Sequence, residues 1–191
     1  MFRLDTEDSK LTSVNARAEM HGEETMLACD LKFKVTMPNT ALDMFDEGLR
    51  TTLFKRVDPK DADLADQGMA DNDDYLPALR FPEMSKVNWG YEGAGYRMVI
   101  SQGISGEEDV ILINTKVDKF KFDCLQGGSV EIEFRVIGHP NETEMGRLCS
   151  LIQRDVDLTL EPPTPEQRAQ MELDEMRGDD EEDDSEYDDA A

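Results

Sequence analysis

The amino-acid sequence predicts an α+β protein: an antiparallel, sheet-rich body built from two similar strand-turn-helix units, followed by a disordered acidic C-terminal tail. Three observations carry that reading. In "LKFKVTMPN" the apolar Leu31, Phe33 and Val35 alternate with Lys32 and Lys34, the period of two expected of a strand with one buried face. Later in the chain, "IEFRVIGHPN" repeats the pattern, with Ile132, Phe134 and Val136 set against Glu133 and Arg135. The third observation is the terminal run "ELDEMRGDDEEDDSEYDDAA", residues 172–191, whose 12 acids and one base leave too little apolar surface to fold alone.

Taken in order, "KLTSVNARAEM" is a candidate partner strand that turns at His21-Gly22 into "LKFKV". Pro38-Asn39 then stops the strand and offers Asn39 as a helix N-cap. Leu42, Phe45 and Leu49 follow at the i, i+3, i+7 spacing of an amphipathic helix. In the second unit "VILINTKVDKFKF" turns at Gln126-Gly127-Gly128 into the 132–136 strand, Asn141 is the N-cap, and Met145, Leu148 and Ile152 form the helical stripe. The offset between the units is 101 in the strands, 102 at Pro-Asn and 103 in the helices, as single-residue insertions in the turns of a duplicated unit would give.

Unit one therefore covers about 11–56 and unit two about 108–160, within a body of residues 1–161. Between the units, residues 57–78 read as a long acidic loop, and "SKVNWGYEGAGYRMVISQG" reads as a hairpin or wide turn. Val156, Leu158 and Leu160 alternate with Asp155, Asp157 and Thr159, which predicts a closing strand. Residues 162–191 begin with a proline hinge, Pro162, Pro163 and Pro165, and a short helix capped by Thr164, before the tail.

Charge is the dominant compositional fact: 20 basic against 44 acidic residues leave a formal net of −24, and the body without residues 172–191 still carries −13. A phosphate-binding surface would have to be a local basic stripe on an acidic protein. Cys29, Cys124 and Cys149 are odd in number and lack CxxC spacing, which predicts reduced thiols acting as small buried apolar groups in a cytoplasmic setting. No apolar run reaches bilayer length, so a soluble protein with no membrane partner is expected.

The sequence predicts neither an enzyme nor a cofactor. His21 and His139 each lie at a turn beside a glycine and read as exposed turn residues, without a nucleophile or a metal set around them. Glu131 and Glu133, or Asp155 and Asp157, share strand faces, and a metal-dependent nuclease would need a lysine beside them; alternation alone explains them as outward positions. The acidic runs lack the glycine and terminal glutamate of a calcium loop, and no Gly-rich phosphate loop occurs.

What remains is surface. Lys32 and Lys34, and Lys116, Lys119 and Lys121, interleave with apolar residues, while Trp89, Tyr91 and Tyr96 sit in a glycine-rich segment expected to be exposed. Lysines neutralise a phosphate backbone and flat rings stack bases, so these eight residues are the candidate contacts for single-stranded nucleic acid. The bland alternative makes the lysines the wet face of strands and places the aromatics in the core. The tail adds to the nucleic-acid expectation, because single-strand-binding proteins often end in an acidic segment, although this chain ends in "YDDAA" without their apolar tip.

At "VNARAEMHGEE", "DLKFKV" and "GGSVEIEFRVIGHPNETEMGRLCSLIQRDVDLTL" the sequence resembles a group of bacteriophage and prophage proteins of unknown activity from early, DNA-recombination gene neighbourhoods, over roughly Leu11 to Leu160. The resemblance carries over no functional residues. It implies a setting, the cytoplasm of an infected or lysogenic bacterium. The expected role is then a non-enzymatic DNA-metabolism accessory that binds single-stranded DNA or a recombination enzyme. The first alternative is an acidic DNA mimic that inhibits a host nuclease or defence complex through Glu131, Glu133, Asp155 and Asp157. A further one is a virion or assembly component, since duplicated sheet modules can form homo-oligomers.

Overall fold

The computed structural model describes residues 1–21, 24–58, 60–62, 68, 69, 72, 74–103, 106, 108–171 and 173. Its elements are β1 (Leu4–His21), β2 (Glu24–Pro38), a 3-10 helix (Asn39–Met44), α1 (Leu49–Leu53), β3 (Phe54–Lys55), β4 (Ala78–Leu79), β5 (Val87–Trp89), β6 (Gly93–Ser101), β7 (Val110–Leu125), β8 (Ser129–Gly138), α2 (Glu142–Ser150) and β9 (Asp155–Glu161). The protein is sheet-rich, and six of the strands close into an antiparallel barrel in the order β1, β2, β8, β7, β6, β9 and back to β1. Closure removes the exposed edges that an open sheet of long strands would present.

Alternation decides which side chains fill the barrel. Leu31, Phe33 and Val35 of β2, Val117, Phe120 and Phe122 of β7, and Val130, Ile132, Phe134 and Val136 of β8 are all buried. Phe33 lies opposite Phe134 in the β2–β8 ladder, and their rings stack with centroids 5.7 Å apart. Phe134 also stacks on Phe120 at 5.7 Å and meets Phe2 edge-on at 5.2 Å, so the core is built around an aromatic cluster.

β5 and β6 share one edge of β7. Phe122 pairs with both Val87 and Ile132, and Val117 pairs with both Gly93 and Val136, so both short strands lie on the edge of β7 away from β8. The expected hairpin in "SKVNWGYEGAGYRMVISQG" is therefore a single strand path broken at residues 90–92. The break falls where β7 is bulged, beside Lys119 at φ 55°.

The two long hairpins, β1–β2 and β7–β8, lie side by side with β2 against β8 and β1 and β7 outermost. β1 shifts register between Leu4 and Glu7 against β9 and between Leu11 and Ser13 against β2. β7 shifts in the corresponding ladders, around Asn114 against β6 and around Lys119 against β8. The β7–β8 turn carries Gly127 and Gly128 at φ 95° and 82°, a backbone region that glycine enters without Cβ strain.

The helical half of each expected unit comes out differently. Asn141 caps α2 with a reciprocal box: its side chain accepts from Glu144 N at 2.9 Å, and its own N–H donates to Glu144 Oε2 at 2.8 Å. Asn39 is no cap. It is buried, its N–H donates to the Gly128 carbonyl, and its side-chain amide donates to the Leu76 carbonyl at 2.7 Å. Instead of a helix over Leu42, Phe45 and Leu49, a 3-10 helix and the five-residue α1 follow, because Leu42 and Leu49 join the core and Phe45 packs its ring on Phe2 and Phe122.

The 57–78 segment ends in β4, which pairs with β3, and Gly127 N donates to the Pro77 carbonyl at 2.9 Å. Positions 59, 63–67, 70, 71 and 73 lie outside the described residues. After β9, residues 165–171 are helical, with Gln167 N donating to Thr164 Oγ1 and Thr164 N donating to Gln167 Oε1. This helix sits on β6 at Gly95, φ 75°, where an added Cβ would come 2.7 Å from Met171 Sδ. The expected disordered tail falls on residue 172 and residues 174–191, outside the described residues. Among the described residues no helix is long and apolar enough to cross a membrane.

Candidate nucleic-acid interface

Because β2, β8 and β7 are neighbours, their outward side chains form rows across the barrel surface. One row runs Lys10, Lys34, Glu133, Lys121; the next runs Ser13, Lys32, Arg135, Asp118. The extra residue in the β7 bulge adds Lys119, which is exposed. Neighbouring strands lie roughly 4.8 Å apart, so these cations are drawn from three distant stretches of sequence into one patch. Lys32, Lys34, Lys119, Lys121 and Arg135 line a single groove of about 300 Å³ together with Thr12, Glu133, Phe33 and Phe134.

The cations differ in what they already hold. Arg135 makes a two-pronged contact with Asp118, Nε to Oδ1 at 2.7 Å and Nη2 to Oδ2 at 2.6 Å, and a third bond from Nη1 to Asp30 Oδ2 at 2.8 Å. Hydrogen bonding to Asp118 holds its guanidinium well above its ordinary range. Asp30 in turn takes Arg17, Arg17 takes Glu19, and Glu19 Oε2 meets His139 Nε2 at 2.9 Å, so a ladder of alternating charge leads away from the groove.

Lys34 contacts Glu131 at 2.9 Å and Glu133 at 3.5 Å, while Lys86 contacts Glu133 at 2.5 Å and Glu131 at 3.6 Å. These contacts raise the pKa of both lysines, through Glu131 for Lys34 and Glu133 for Lys86, and lower that of Glu133, chiefly through Lys86. Among the described residues Lys32, Lys119 and Lys121 hold no ion pair, and all three are exposed. They are the groove's disposable positive charge.

The structure thus brings together four of the five lysines named from the sequence. Lys116 lies outside the groove, on the outward side of β7, where it contacts Glu92 at 2.7 Å. The aromatic candidates turn inward, which corrects the expectation of exposed platforms. Tyr96 is fully buried, its hydroxyl donates to the Phe2 carbonyl at 3.1 Å and shares a 2.8 Å hydrogen bond with Tyr91, and burial pushes its phenol far above the usual range. Trp89 and Tyr91 are half-buried against Phe122 and Phe120. The physical reason is the β5–β6 path: its residues follow the barrel wall, so their rings pack into the aromatic cluster.

Arg135, Thr12 and Lys10 were not among the sequence candidates. Arg135 had a signal, the outward position in "IEFRV", but its neighbours Lys32 and Asp118 become visible only once β2, β8 and β7 pair. Thr12 stands in the β1 bulge and donates to the Lys32 carbonyl at 3.0 Å, fixing the β2 backbone at the groove.

The acidic candidates divide between two places. Glu131 and Glu133 are engaged by Lys34 and Lys86 on the basic side, while Asp155 and Asp157 lie with Asp8 and Glu108 around a separate recess of about 310 Å³. Among the described residues no group of three or more His, Cys, Asp or Glu could hold a metal ion. The thiols also depart from expectation: Cys29 alone is fully buried, Cys124 is intermediate and Cys149 exposed. Burial pushes both Cys29 and Cys124 up to about 11, so neither is a ready thiolate at neutral pH.

Fold and groove together define a closed antiparallel barrel with a basic outer patch on an acidic chain. In comparisons with known proteins, no family model matches the chain, no curated protein matches it, and no solved structure matches it.

Proposed function

We propose that this protein is a non-enzymatic accessory of phage DNA metabolism that binds single-stranded DNA in the groove on β2, β8 and β7, in the cytoplasm of the bacterial host. The single observation that supports it is the gathering of Lys32, Lys34, Lys119, Lys121 and Arg135 along one groove of a chain whose net charge is −24. On such a chain a basic patch works against the overall field, and a phosphate backbone is the ligand whose own charge would make use of it. The same patch also suits an acidic surface on a recombination enzyme.

The paired hairpins and their matching bulges support reading the body as a duplicated unit, with the groove on the seam between copies. The test is anisotropy of labelled oligo-dT with the full chain and with the triple variant Lys32→Glu, Lys119→Glu, Lys121→Glu. Loss of binding at least tenfold supports the reading. Unchanged affinity sinks it.

The acidic recess of Asp8, Glu108, Asp155 and Asp157 favours one second reading, mimicry of DNA toward a host DNA-binding enzyme. In that case neutralising Asp155 and Asp157 abolishes inhibition of the enzyme, while the lysine variant leaves it intact.

A further inference from the structure

We infer that the groove recognises the phosphodiester backbone alone and is indifferent to bases and sugar. The inference rests on the nucleic-acid reading above and narrows it to one chemistry. Base recognition needs a flat ring to stack on or a donor-acceptor pair that reads a base edge. The groove offers no ring face, and the carboxylate that lines it, Glu133, is already taken up by Lys86 and Lys34. Its two lining aromatic residues, Phe33 and Phe134, are 1% and 2% exposed, so their rings belong to the core. Trp89, Tyr91 and Tyr96 are drawn into the barrel wall, and among the described residues the one exposed aromatic is Phe81, which lines a different recess with Leu79, Met84 and Cys124.

The polar equipment points the same way. Arg135 is the guanidinium of the groove, and its fork is spent on Asp118 and Asp30. Lys32, Lys119 and Lys121 remain, compact ammonium charges that attract phosphate without reading its surroundings. The Thr12 hydroxyl already donates its hydrogen bond to the Lys32 carbonyl. A polymer of closely spaced phosphates satisfies such a groove, whatever is attached to it.

The experiment compares, with the full chain, labelled oligo-dT, an abasic deoxyribose-phosphate oligomer and an oligo-U of equal length, about 16 units, and uses long-chain inorganic polyphosphate as competitor. The three oligomers should bind within about threefold of one another, and polyphosphate should displace them all. Stacking of even one base is worth roughly 5- to 140-fold in affinity. An abasic oligomer that binds tenfold or more weakly than oligo-dT therefore overturns backbone-only recognition while leaving nucleic-acid binding in place. Failure of all three oligomers to bind overturns both readings.

Discussion

Lys32 and Arg135 face each other across the β2–β8 ladder, yet Arg135 is clamped between Asp30 and Asp118 while Lys32 holds no ion pair among the described residues. Adjacent cations of the same row therefore have separable duties. Arg135→Ala leaves the Asp118 carboxylate, 6% exposed, without its partner, and should cost about 3–5 kcal/mol by urea unfolding. Lys32→Ala should leave unfolding within about 0.5 kcal/mol of the parent and weaken oligo-dT binding severalfold.

Salt should report how many lysines the ligand engages. With Lys32, Lys119 and Lys121 as the contacts, log Kobs for a single strand should fall against log salt with a slope of roughly −2. A slope of about −2.8 would mean that Lys34 also leaves its carboxylate partners to join them.

Removing residues 172–191 takes away a net charge of −11 without touching the groove's lining. A chain ending at Met171 should bind oligo-dT more tightly at low salt, and the difference should shrink as the Debye length falls below about 8 Å. Equal affinity of the two chains at low salt would show that the terminal acids do not act on the groove.

Acid should loosen the Lys86 and Glu133 pair. Glu133 has its pKa lowered below the ordinary 4.5, first by its hydrogen bond to Lys86, so its stabilisation is complete above that value and is lost as pH falls through the lowered one. Glu133→Gln should flatten this part of the acid unfolding curve and leave the curve above pH 4.5 parallel to the parent. By removing the carboxylate that lines the groove it should also tighten oligo-dT binding.

The aromatic cluster should be the energetic centre of the barrel. Phe134, 2% exposed and in contact with the rings of Phe2, Phe33 and Phe120, should cost about 3–5 kcal/mol when replaced by alanine. Phe81→Ala, at an exposed ring, should cost well under 1 kcal/mol in the same urea titration.

Sequence periodicity alone determined which face of each main strand is wet. It assigned Leu31, Phe33 and Val35, and Ile132, Phe134 and Val136, to the interior and Lys32, Lys34, Lys119 and Lys121 to the outside, because alternation is a property of the strand itself. Asn141 was likewise legible, since a capping box is completed within four residues. Only tertiary structure decided the rest. Whether β2 lies against β8, whether β5 and β6 share an edge of β7, and whether Trp89, Tyr91 and Tyr96 face water depend on which strands pair and where bulges shift register, and no local pattern encodes those choices. Asn39 and Asn141 follow the same Pro-Asn signal, yet one is buried and bonded to Leu76 and the other caps a helix, because a competing long-range hydrogen bond outweighs a local cap. The groove itself belongs to the second category: its lysines are local, and their convergence is the work of barrel closure.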